Sequence, residues 1–443
     1  MGARLMIGEN SGGAVAPPFF QRLNETAGRV GRKRAERCIV RRAPTARHQR
    51  ARAPFRAAAV LHTTPLQPQF AVPIVRTCFC AIAASLLTAQ IASAALATPS
   101  HPAPTRIDVA PGVYVFQTPR YGDAGLDGNS VVVVGDDAVL VMDANGTPAA
   151  ATAVLAEIRK LTPKPVRYVV LSHWHWDHWY GAEVYRKAFP AAEIIGHERT
   201  KALMSGPAIM FNQPALDTQF PEHIEGVEAQ LQRARHASPP DSTVAKLAEH
   251  AAADRWFLEQ KRTASLTVPT RTFTDSLTLD LGGRIVKVLH HDRAITPGDA
   301  FLWLPAERIA VVADLLINPL TYGLFSYPSG WIRTLERIDA LDAAVIVPGH
   351  GMPMRDEVRL HATIELLKRE RAIVTELKAA GRTIPEARAA VLADSTVLAL
   401  RETLTGGNVA YREPFALYLV TWVVPRIFQE IDGTLDDSIP AAP

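Results

Sequence analysis

Between residues 112 and 196 the period of the apolar pattern switches repeatedly. "GVYVFQTP" (112–119) and "NSVVVVGDDAVLVMDANGT" (129–147) are short apolar bursts bounded by Gly, Asp and Asn. Such bursts predict strands, the second stretch folding as a hairpin around Gly135-Asp136-Asp137. Over Pro148–Leu161 the spacing of Ala, Val, Leu and Ile becomes helical. "VRYVVLS" (166–172) is a continuous apolar run, as expected of a strand covered on both faces. A helix over Ala182–Ala188 and a strand over 193–196 complete a β-α-β alternation.

The alternation then stops. Residues 198–262 hold "SPPD" (238–241) and two helix-like stretches, about 223–237 and 242–262, which predict a helical insertion. Strands are predicted again near 272–281, 285–290, 300–304 and 309–314, then a helix near 331–341 and a strand at 344–347. The remainder, 356–443, reads as a helical extension. Apolar residues recur at 360, 364, 367, 374 and 377, Gly381 stops that helix, and Thr383 with Glu386 forms a capping box for the next. The apolar run 415–424 is too short to span a bilayer and reads as core.

Charge changes the picture of the N-terminus. The formal net charge is +4. Residues 1–56 alone carry 13 Lys and Arg against 3 Asp and Glu, whereas the chain from Thr98 onward carries 34 against 41. An acidic body follows an arginine-rich leader, which speaks against a nucleic-acid partner. Residues 1–74 lack periodicity and are expected to be disordered, and the open reading frame is expected to start near 72–75. "RTCFCAIAASLLTAQIASAALA" has a basic residue, an apolar run and small residues in A-x-A spacing. It predicts a signal peptide over 75–97, export to the periplasm or medium, and no stable membrane span after its removal. Cys38, Cys78 and Cys80 all fall in this leader. A metal site in the body must therefore use His and carboxylates.

"LSHWHWDHWYG" (171–181) supplies them. His173 and His175, two apart at a strand end, point the same way. Asp177 and His178 lie on the following turn and can face a second ion. Such His-plus-carboxylate shells suit Zn²⁺ with positions left for water.

Here the chain resembles the metallo-β-lactamase superfamily. "HWHWDH" matches the HxHxDH motif, Asp143 in "VMDANGT" the acidic residue that supports the motif loop, Asp314 in "VVADLL" the metal-bridging aspartate, and His350 in "VPGHG" the last histidine ligand. "TPGDAFLWLP" (296–305) matches the segment before the bridging aspartate. The resemblance implies an α/β fold, the four-layer αβ/βα sandwich, over 107–355. It implies one or two Zn²⁺ ions, His173 and His175 on the first, Asp177, His178 and His350 on the second, and Asp314 linking them. One ligand departs from the pattern: in "DRAITPGD" Ile295 stands where the family places a histidine. Either the first site is weak or empty, or His290, His291 or Asp292 swings in, or metal binds without turnover.

The implied activity is hydrolysis. Metal lowers the pKa of water, and the hydroxide attacks a carbonyl carbon of an amide, ester, lactone, thioester or β-lactam. Asp177 is the candidate to orient that hydroxide and pass on a proton. A non-catalytic metal-binding protein is the alternative that Ile295 raises. Trp174, Trp176, Tyr322 and Tyr327 are candidates for the wall of a small-molecule pocket, or for packing beneath the ligands. Oligomeric state has no signature in the chain.

Overall fold

In the computed structural model, residues 101–120, 122, 126–237 and 242–439 are described. The expected leader and signal peptide lie outside them. No helix among the described residues is long and apolar enough to cross a membrane.

Among the described residues, twelve strands form two mixed sheets. The first runs β1(Thr105–Ala110), β2(Val113–Gln117), β3(Ser130–Val134), β4(Val139–Met142), β5(Val166–Val170), β6(Glu193–His197) and β7(Arg271–Phe273), in sequence order across the sheet. The second has the order β12(Val345–Pro348), β11(Ile309–Ala313), β10(Phe301–Leu304), β9(Ile285–Leu289), β8(Ser276–Asp280). Strand alternation assigns each side chain to a layer. Val131, Val133, Leu140 and Met142 meet Leu302, Leu304, Val311 and Val347 in the core between the sheets. Their neighbours Val132, Val139 and Val141 turn outward onto Val154, Leu155 and Ile158 of the helix Pro148–Leu161. On the far side Ala310, Val312 and Ile346 pack on Trp331, Leu335 and Ile338 of the helix Pro328–Asp339. Helix, sheet, sheet and helix are thus the four layers that the resemblance implied.

One expectation is corrected, and one strand is present that the pattern did not announce. The single strand expected over 272–281 is two strands in different sheets, because the chain crosses over at Thr274 and Asp275. The edge strand β1 had no clear signal, since it alternates weakly and three of its six residues are exposed.

The insertion is helical, as expected, and longer in structure than in pattern. Two short helices, Glu198–Met204 and Pro207–Pro214, precede an antiparallel pair, Phe220–His236 and Val244–Thr263. The pair has its own small core of Phe220, Ile224, Trp256 and Phe257, against which Trp176 packs. The C-terminal helices share one apolar cluster with the outer face of the second sheet. Thr383 and Glu386 form the expected capping box, and Phe415, Leu419, Val420 and Val424 are core.

Candidate metal centre

The ligand candidates all sit just past the C-terminal ends of strands, where crossing connections leave a crevice. β4 and β5 are parallel neighbours, as are β11 and β12. β4 delivers Asp143, β5 the HxHxDH run, β11 Asp314 and β12 His350. A one-turn 3₁₀ helix, Trp176–His178, follows His175 and turns Asp177 and His178 back toward the strand ends.

The six side chains converge. Asp314 Oδ2 lies 3.6 Å from His173 Nε2 and 4.0 Å from His175 Nδ1, while its Oδ1 lies 3.3 Å from His178 Nε2 and 3.5 Å from His350 Nε2. Asp177 Oδ2 is 3.1 Å from His350 Nε2 and 3.4 Å from His178 Nε2. All six are buried. Two groups have ligand atoms close enough to share an ion: Asp177 with His178 and His350, and His173 with His178 and Asp314. The first is the second-metal set expected from the sequence. In the other, His178 stands with His173 and Asp314, while His175 lies outside both groups, beside Asp314 and the His173 ring.

Asp143 sets the tautomers. Its carboxylate accepts from Ser172 N and Ser172 Oγ at 2.8 Å each and from His178 Nδ1 at 2.8 Å. Having donated to Asp143, Ser172 Oγ accepts from His173 Nδ1 at 2.8 Å. Both histidines therefore keep a proton on Nδ1 and turn Nε2 toward the other candidate ligands. Asp143 holds this post at φ 67°, a conformation uncommon for a residue with a Cβ. Two glycines make room. A Cβ at Gly349 would collide with Asp314 Oδ1, and one at Gly128 with the His178 ring.

The electrostatics follow from crowding. Burial opposes charge on His178, yet Asp314, Asp177 and Asp143 overcome it and raise its pKa well above the usual range. Burial likewise opposes charge on His350, and Asp314 and Asp177 prevail. His173 is lowered by burial and then by His175 and His178. Burial would raise Asp177 and Asp314, but His178 and His350 hold both well below the carboxylate range.

Whether these residues suit a metal can be judged from their unmet valences. His173 Nε2, His175 Nε2, His178 Nε2 and Asp314 Oδ1 are buried without a hydrogen-bond partner. Those of His173, His178 and Asp314 belong to one ligand group, and buried polar atoms left in that state are costly unless a cation completes them. The imidazole and carboxylate donor set fits Zn²⁺.

The family model for the metallo-beta-lactamase superfamily matches residues 123–350, more than half of the chain. The chain belongs to that superfamily. Over 249 residues it is 24% identical to a linear primary-alkylsulfatase of Pseudomonas sp. (strain ATCC 19151), a match covering 52% of this chain. It spans only 43% of that relative's length. Solved structures similar to it include a metallo-beta-lactamase from Pontibacter korlensis (16% identity, TM-score 0.42, covering 60% of this chain and 99% of the other). Another is a double mutant of the sec-alkyl sulfatase PisA1 (18% identity, TM-score 0.48, covering 71% and 51%).

The position that departs from the family pattern is filled by apolar packing. Ile295 is fully buried in the cluster with Ala294, Leu315, Leu316 and Trp331. His290, His291 and Asp292, the possible substitute ligands, lie outside both ligand groups and have other partners. His290 gives Nδ1 to the Asp299 carbonyl at 2.8 Å and stacks on His197 at 4.0 Å. His291 packs on Phe301. Asp292 pairs with Arg333 at 2.5 Å.

The stacked pair makes a prediction of its own. Burial, then His290, brings His197 down to about 4. Between pH 6.5 and 4 the unfolded chain binds a proton there that the folded one refuses, so stability falls as pH drops through that window. With solvent screening the effect is roughly 1–2 kcal/mol. His197→Asn retains an acceptor for the Arg199 amide, which His197 Nδ1 now caps at 3.2 Å. Urea melts at pH 6.5 and 4.5 should show a smaller loss in the variant; an equal loss rejects the assignment.

The aromatic candidates divide. Trp174, Trp179 and Tyr180 are buried as packing, Trp179 Nε1 donating to the Trp174 carbonyl at 2.9 Å. Tyr327 is also interior, with its hydroxyl on the Asp436 carbonyl at 2.8 Å. Tyr322 is partly open and 6.0 Å from the His175 ring. Behind it stand Trp422 at 4.5 Å and Tyr418 at 5.6 Å. These two come from the C-terminal helices, and no local motif marked them.

Proposed function

We propose that the protein is a metal-dependent hydrolase whose ions are held by His173, His175, Asp177, His178, Asp314 and His350. The observation that carries this reading is the convergence of buried imidazole nitrogens and a carboxylate oxygen that have no hydrogen-bond partner. Zinc, when bound there, would supply a Lewis acid and lower the pKa of a water ligand. The chain's own groups do the rest. Asp143 fixes the Nδ1 protons of His178 and, through Ser172, of His173. Asp177 is the carboxylate placed to orient a nucleophilic water and carry its proton to a leaving group. Its pairing with His178 and His350 keeps it ionised. Tyr322 offers an apolar wall beside His175.

For the substrate we propose a small ester, lactone, thioester or amide, β-lactams included, attacked at its carbonyl. The similarity to a linear primary-alkylsulfatase favours a second class, sulfate esters of primary alcohols. Export through the signal-like segment at 75–97 remains part of the proposal and would put the enzyme among extracytoplasmic substrates.

The test is one preparation assayed for zinc and then for turnover. Stripping with a chelator should abolish hydrolysis of whichever substrate is active among nitrocefin, a lactone, a thioester, an aryl ester and dodecyl sulfate, and zinc should restore it. Bound zinc with no turnover on any of them would favour the non-catalytic reading. No bound zinc would reject both.

A further inference from the structure

The helical insertion reaches the metal-ligand turn through one buried amine. Lys261 lies in the last turn of the helix Val244–Thr263 and is only 4% exposed. Its Nζ sits 3.5 Å from the centre of the Trp176 ring and 3.7 Å from that of Tyr180. It also reaches the Trp176 carbonyl oxygen at 3.5 Å. One turn earlier in the same helix, Phe257 meets Trp176 edge-on at 5.4 Å. Trp176 opens the 3₁₀ turn that presents Asp177 and His178. Tyr180 comes two residues after that turn's last ligand. The lysine head therefore grips the turn on both sides of the two ligands.

An amine buried this deeply is unusual. Burial pushes the Lys261 pKa well below the ordinary lysine range, while the nearby charges of Asp177 and Asp127 pull the other way, as do the electron-rich ring faces. A short apolar residue would have filled the same space without that conflict. A structural reason to keep the amine is that rings and carbonyl fix its place in three directions, which an apolar tip cannot do.

We infer that Lys261 is a positioning residue for the second metal group, holding the Trp176–His178 turn so that Asp177 and His178 face His350. This rests on the metal-site reading above and adds to it: the insertion, which supplies no ligand, sets the affinity of the ligands. The charge itself works the other way, since a cation near a dication repels it. The two effects differ in sign, which makes the inference testable.

The experiment uses the full chain, with zinc affinity measured by competition against a chromophoric chelator and thermal stability of the metal-free protein measured in parallel. Lys261→Met keeps the length and removes the head group. It is expected to weaken zinc about tenfold, the low end of what outer-shell partners contribute. Lys261→Arg, which can still stack on the rings, should recover most of that loss. If Lys261→Met binds zinc as well as the parent protein, whatever its melting temperature, Lys261 is packing alone and the inference fails. If it binds more tightly, the amine acts only as a repelling charge and the inference also fails. Should Lys261→Met not fold, Trp176→Phe removes the better ring face and should weaken zinc about threefold; unchanged affinity there overturns the inference equally. A parent protein that binds no zinc overturns the site reading and this inference together, an outcome distinct from equal affinities.

Discussion

Asp314→Ala is expected to give the largest loss of any single change. Its carboxylate approaches all four candidate histidines, His173, His175, His178 and His350, within 4.0 Å. Without it the His173 group loses its only carboxylate. Zinc affinity should fall by at least about a hundredfold, beyond the usual cost of losing an outer-shell partner. Hydrolysis should disappear with the metal. The metal-free protein should suffer as well. Asp314 is held ionised by His178 and His350, and burial opposes it. Removing one partner from such a buried ion pair costs roughly 3–5 kcal/mol. That part has a pH signature. Asp314 is depressed, so its contribution is present above the unfolded carboxylate pKa near 4 and is lost on acidification. His178 and His350 are raised, so theirs is present below about 6.5 and is lost as pH rises through their folded values. The stability gap between parent and variant, both metal-free, should therefore be widest in mildly acidic solution and close at either extreme. Calorimetry with a chelator present measures it; a gap that stays constant with pH would show that the carboxylate is not paired as described.

Ile295→His should destabilise without creating a ligand. From sequence the substitution looks like the repair of a lost histidine. The structure puts Ile295 among Ala294, Leu315, Leu316 and Trp331 with no exposed surface. An imidazole there loses apolar contacts and gains no partner. The cost should be about 2–4 kcal/mol, read as a lower urea midpoint, with zinc stoichiometry unchanged. A variant of parental stability that takes up an additional zinc would show that this position faces the metals and that the family's three-histidine site can be rebuilt.

The insertion and the C-terminal helices change what the strand-end crevice can do. Lys261 and Phe257 come from the first and bear on the motif turn. Tyr418 and Trp422 come from the second and back Tyr322 beside His175. Elements that contribute no candidate ligand thereby shape the surroundings of the motif turn and of His175.

The sequence by itself, through its periodicity and its family resemblance, determined the fold class and named the candidate ligands. A two-residue period in the strands and a 3.6-residue period in the helices say which face is apolar, and faces dictate layers. His and Asp at fixed spacing after an apolar strand announce their chemistry wherever the strand goes. The tertiary structure decided matters that depend on neighbours distant along the chain. It split the stretch 271–280 between two sheets. It placed His178 in both ligand groups, turned His290, His291 and Asp292 to other partners, and set Lys261 on two aromatic rings. Local periodicity encodes which way a side chain points from its own backbone. What it meets there depends on how separate elements dock, and no local pattern records that.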